Sequence, residues 1–99
     1  MNKVTQKSIL SRLKKYKETS PTGANIQTIG VFGSYSKGEE TSKSDLDVFV
    51  VMKKPRMFDL IRIRTDLQEL FQKEIDIVAL TKSSHPFLRR EIRRTGIYV

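Results

Sequence analysis

The sequence predicts a small α/β (α+β) domain of about three to four strands packed with about four helices, and two observations carry that prediction. Apolar runs of strand length, Ile26 to Phe32, Leu46 to Val51 and Ile75 to Leu80, alternate along the chain with segments whose apolar residues recur at helical spacing. With 99 residues and 37% hydrophobic side chains, the chain is long enough for one core and too regularly patterned for disorder. A single domain over residues 1–99 is expected.

The elements follow in order. From about Thr5 to Lys17, Ile9, Leu10, Leu13 and Tyr16 share one arc at 100° per residue while lysines fill the other side, which predicts an amphipathic helix. Thr19 to Gly23 ends it, because proline cannot continue a helix. Ile26 to Phe32 reads as a strand in which Gly30 admits a close neighbour. A short helix or turn follows Ser34, then a polar loop from Glu39 to Ser44. In the next strand both alternating sets turn apolar beyond Asp47, so it is expected to be central, covered on both faces, and open only at its start. Arg56 to Gln72 is the strongest helical segment, with Leu60, Ile63, Leu67, Leu70 and Phe71 on its buried face and Met57 and Ile61 at the margin. A third strand spans Ile75 to Leu80. Pro86 suits the first turn of a last helix that ends near Gly96, with Phe87, Leu88 and Ile92 on one side and Arg89, Arg90, Arg93 and Arg94 on the other.

The chemistry concentrates between Val31 and Val50. Gly33 stands where an apolar strand stops, and its missing Cβ lets backbone N–H groups approach a ligand. Ser34 adds a hydroxyl, and a helix opening there makes an anion site suited to phosphate. Asp45 and Asp47, two apart on a strand, point to one face with Cα atoms roughly 6–7 Å apart. Paired carboxylates repel unless a cation bridges them, and hard oxygen ligands suit Mg²⁺ completed by substrate phosphates. Asp76 stands among Ile75, Ile77, Val78 and Leu80, so an apolar setting is expected, in which a lone carboxylate needs a partner. A metal shared with Asp45 and Asp47 is one such partner, and an arginine such as Arg64 is another. Arg64 lies within the buried arc of its helix: either its stem packs on the core while its head snorkels or pairs with an acid, or it reaches a phosphate or site carboxylate.

Gly33-Ser34, the ten residues Tyr35 to Ser44, and Asp45-Leu46-Asp47 together resemble the signature of the DNA polymerase β-like nucleotidyltransferase superfamily. The fuller run FGSYSKGEETSKSDLDVFVV is similar to the minimal nucleotidyltransferases (MNT), which commonly act as antitoxins to HEPN-domain toxins. The likeness continues through Glu74-Ile75-Asp76-Ile77-Val78 to His85-Pro86-Phe87-Leu88-Arg89 and covers roughly residues 25 to 99. It implies a mixed sheet, a triphosphate held by Gly33 and Ser34, and Asp45, Asp47 and Asp76 as the catalytic residues and the ligands of Mg²⁺, two ions in all. It further implies AMP transfer from ATP to a hydroxyl, a tyrosine of a HEPN-type toxin in the antitoxin relatives, with Asp76 nearest the acceptor. The family often carries arginine before the glycine matching Gly38, where this chain has Lys37.

Composition bounds the alternatives. Nineteen Lys and Arg against eleven Asp and Glu give a net charge of +8, which attracts triphosphates, nucleic acid or an acidic protein surface. The four arginines of the last helix form either a solvated face or a contact for RNA or an acidic partner. The absence of interleaved aromatics weakens the nucleic-acid reading. A non-catalytic antitoxin that neutralises its partner by contact is a further alternative, disfavoured by the three aspartates. Without cysteine there is neither a disulfide framework nor a thiolate zinc site. No apolar run approaches the roughly 18 residues of a membrane span, and a cytoplasmic protein is expected. His85, the single histidine, precedes Pro86 and suits a capping or turn role.

Overall fold

Ile9 and Leu13 are fully buried, and the helix that carries them, α1 (Gln6–Thr19), presents them on one face because residues four apart share a side. The computed structural model describes residues 6–33, 46–81, 84 and 86–99. Tyr16 extends the apolar stripe of α1, and its hydroxyl donates to Oδ2 of Asp66 at 2.8 Å. Burial, then that bond to an acid, pushes the Tyr16 phenol up to about 12. A 3₁₀ turn, Thr22–Asn25, leads into β1 (Ile26–Phe32).

β1 pairs antiparallel with β2 (Leu46–Met52), and β2 pairs parallel with β3 (Ile75–Ala79). Parallel neighbours need a crossover, here supplied by α2 (Met57–Phe71). After α3 (Pro86–Thr95) the chain returns as β4 (Ile97–Tyr98), antiparallel to β1, giving a mixed sheet of order β3-β2-β1-β4. The expected fold class is therefore observed, with β2 central between β1 and β3.

One face of the sheet makes the core: Ile29, Val31, Val48 and Val50 pack against Ile9 and Leu13 of α1 and Ile63, Leu67 and Phe71 of α2. The other face carries Gly30 and Phe32 of β1 beside Phe49 and Asp47 of β2. Gly30 lies between Phe49 and Tyr98, and a Cβ there would run into the Ile97 carbonyl oxygen, the Tyr98 side chain and the Phe49 ring. The expected close neighbour of Gly30 is thus β4.

The helical faces are narrower than the periodicity predicts. On α2 only Ile63, Leu67 and Phe71, spaced by four, are buried; Leu70 is 40% exposed, and Met57 and Ile61 are exposed as well. On α3, Ile92 is buried but Phe87 is 68% exposed, because a helix resting on a sheet covers one line of residues and leaves the flanks in water. A clasp beyond the reach of sequence reasoning fastens the β2–α2 connection. Asn25 donates from Nδ2 to the Lys54 carbonyl at 2.7 Å and to Asp59 Oδ2 at 2.8 Å, while its Oδ1 accepts from the Lys54 N–H at 2.8 Å.

Candidate active site at the open start of the central strands

The register of the sheet brings two of the three predicted carboxylates together. Phe32 of β1 lies opposite Asp47 of β2, and Asp47 lies opposite Asp76 of β3. Residues opposite one another in adjacent strands project from the same face, with strands about 4.8 Å apart, so Asp47 and Asp76 are side by side. Both stand at the second residue of their strands, away from the helix-covered core face. Asp47 is partly exposed and Asp76 is exposed, which leaves the pair open to solvent.

Gly33 closes the row from below. It ends β1 with φ +75, a left-handed conformation that glycine adopts without strain. A Cβ built there would collide with Oδ2 of Asp47 and stand 3.3 Å from its Cγ. The absence of a side chain at Gly33 makes room for the Asp47 carboxylate, a role that the sequence reading of this glycine did not include. Behind the row, Phe32 and Phe49 lie tilted at 55° with centroids 6.3 Å apart, and Phe49 meets Tyr98 edge-on at 6.4 Å. The Tyr98 part of this aromatic wall depends on β4 pairing beside Gly30, which the separate residues do not announce in the sequence.

Two expectations are corrected. Asp76 does not sit in an apolar setting: Ile75 is fully buried and Ile77 packs on the core, but they project from the opposite face, so sequence neighbours are not its surroundings. Its need for a partner therefore cannot be argued from desolvation. Arg64 does not pair with Asp76 either. Its Nε donates to the Ile75 carbonyl at 3.1 Å and its guanidinium lies 3.9 Å from Glu74, with half of the side chain in solvent. It braces the entry to β3.

Ser34 and Asp45, together with Lys37 and His85, lie outside the described residues. Among the described residues no group of three or more acids or histidines gathers as a metal cluster. The Asp47–Asp76 pair nevertheless fits a hard cation: two oxygen-donor side chains on one row, facing solvent, suit Mg²⁺, which keeps several waters. Among the described residues no helix is long and apolar enough to cross a membrane.

Comparison with known proteins identifies the family and the fold. The profile of the family described as Polymerase beta, Nucleotidyltransferase matches residues 11–99. The chain is 29% identical to the protein adenylyltransferase MntA of Thermococcus cleftensis over the whole of both chains. A solved structure of a candidate minimal nucleotidyltransferase superposes with a TM-score of 0.74 at 26% identity, covering 94% of each chain. The fold is shared, at 21% identity and a TM-score of 0.67, with a complex of tri-AMPylated Shewanella oneidensis HEPN toxin and MNT antitoxin, covering 95% of this chain and 71% of that one. Matched from residue 11 to its last residue, and with a carboxylate pair at the open end of a mixed sheet, the chain belongs to the polymerase beta nucleotidyltransferase family of enzymes.

Proposed function

We propose that this enzyme transfers AMP from ATP to a hydroxyl, a tyrosine of a HEPN-type toxin, and so acts as an antitoxin. The observation that carries the reading is the side-by-side projection of Asp47 and Asp76 from adjacent strands, with Gly33 cleared beneath Asp47. The adenylyltransferase name of the full-length relative supplies the nucleotide, and the HEPN toxin of the fold neighbour supplies the acceptor class. A cytoplasmic location, where ATP is abundant, belongs to the same proposal.

In this reading Asp45, Asp47 and Asp76 hold Mg²⁺, which when bound supplies positive charge to screen the triphosphate and its developing transition-state charge. Gly33 and Ser34 bind the phosphates. Asp76, at the outer and more exposed side of the pair, orients the acceptor hydroxyl and takes its proton. The hydroxyl oxygen attacks the α-phosphorus, the bond from that phosphorus to the bridging oxygen of the β-phosphate breaks, and pyrophosphate leaves. Most of the acceleration comes from holding the reacting oxygens in line. Asp47→Asn with Asp76→Asn is expected to abolish transfer of labelled AMP while the circular dichroism melting curve stays cooperative. Transfer that survives in the double variant overturns the assignment.

A further inference from the structure

A second concave site lies at the far end of the same sheet. A cleft of about 580 Å³ opens where β2 and β3 end and α3 crosses above them. Its floor is aliphatic: Val51, Met52, Leu80 and Ile92. Its rim is cationic: Lys53 from the end of β2 and Arg89 and Arg93 from α3, with no acidic residue among the described residues that line it. On α3, Arg94 is held by Glu91 at 2.9 Å, whereas Arg89 and Arg93 make no ion pair among the described residues. Val51 follows Asp47 by four positions, so the cleft begins about 13 Å from the carboxylate row at the rise of a strand.

We infer that this cleft docks a segment of a protein partner in which carboxylates flank an aliphatic side chain. The complementarity is specific in two respects. Three cations around an apolar floor attract an anion whose body is apolar, because the rim steers and fixes register while the floor removes aliphatic surface from water. Among the described residues the lining also contains no aromatic ring, and single-stranded nucleic acid relies on such rings for stacking its bases, so a peptide is favoured over RNA. A partner seated here presents another part of its surface to the row of Asp47 and Asp76. Docking of this kind does not depend on the reaction proposed above.

The test uses the whole chain and an acetylated pentapeptide of alternating glutamate and leucine, followed by methyl NMR. The peptide is expected to shift the methyl signals of Val51, Leu80 and Ile92, and Arg89→Glu with Arg93→Glu is expected to weaken its binding by about tenfold or more. A pentapeptide of alternating lysine and leucine is expected to bind that charge-reversed variant and not the native protein. Should the reversed variant fail to melt cooperatively, Arg89→Gln with Arg93→Gln, which removes charge without reversing it, gives the same comparison with a smaller loss. Asp47→Asn with Asp76→Asn is expected to leave peptide binding unchanged, which separates this site from the transfer site. Unmoved methyl signals, binding indifferent to both arginine variants, or an oligouridylate that displaces the glutamate peptide from these methyls each overturns the proposal.

Discussion

Replacing Gly33 by alanine perturbs the carboxylate row through two effects that can be measured apart. The first is conformational: at φ +75 an alanine is disfavoured by about 1–2 kcal/mol relative to its usual basins. For a domain of this size, each kcal/mol lowers the melting temperature by about 4–8 °C. The second is steric: the new Cβ collides with Oδ2 of Asp47, and ordinary contact requires the carboxylate to retreat by about 1 Å, a displacement that costs on the order of 10²-fold in rate when the group positions reacting atoms. Gly33→Ala is therefore expected to melt about 4–16 °C lower yet to lose far more transfer activity than its folded fraction explains. Gly23→Ala is the control, since its Cβ would stand 2.5 Å from the Lys17 carbonyl oxygen and 2.6 Å from that of Tyr16, straining the α1 connection away from the row. Labelled-AMP transfer normalised to the folded fraction from circular dichroism reads both variants. If Gly33→Ala keeps normalised activity within about threefold of native, or Gly23→Ala loses as much, then transfer does not depend on the exact position of the Asp47 carboxylate.

Three further outcomes follow from the packing. The Tyr16 phenol is raised by burial and by Asp66, so its contribution to stability is present below about pH 10, the ordinary tyrosine value, and is lost as pH rises toward about 12. Ultraviolet titration is expected to show a late tyrosine step that Tyr16→Phe removes; a titration curve that the substitution leaves without loss of a late step refutes it. Asn25→Ala removes three hydrogen bonds at the β2–α2 connection and is expected to lower unfolding free energy by about 1–2 kcal/mol in urea; an unchanged midpoint contradicts the clasp. Gln72 ends α2 at φ 55, a conformation that glycine occupies without strain, so Gln72→Gly is expected to raise stability by about 1 kcal/mol, and a lower melting temperature counts against it.

Much of the fold was legible because each element has one dominant period. β1 occupies the predicted Ile26–Phe32, and α2 and α3 lie within a residue or two of the predicted segments, since their caps and breakers are local. β4 was not legible: two residues carry no period, and Ile97–Tyr98 become a strand only because Gly30 leaves room beside β1. At the site, the position of Asp47 at the wet start of a central strand could be read from alternation alone. The surroundings of Asp76 could not, because a linear string does not say which face of a strand is covered. Arg64 met the snorkelling reading, its half-exposed head lying 3.9 Å from Glu74, and only the Asp76 alternative failed. Its place in the helical arc was real, but a long side chain can satisfy a nearby carbonyl, here that of Ile75, instead of the carboxylate one residue on.

The parallel pairing of β2 with β3 has a consequence for folding fidelity. Slipping β3 by one residue would turn Asp76 into the core face and Ile75 and Ile77 out into water, exchanging a solvated carboxylate for a buried one and two packed isoleucines for exposed ones. Neighbouring registers are thereby excluded by the same residue that stands beside Asp47. Only registers an even number of residues apart keep Asp76 in water, so the acid that stands beside Asp47 also narrows the ways in which β3 can close the sheet.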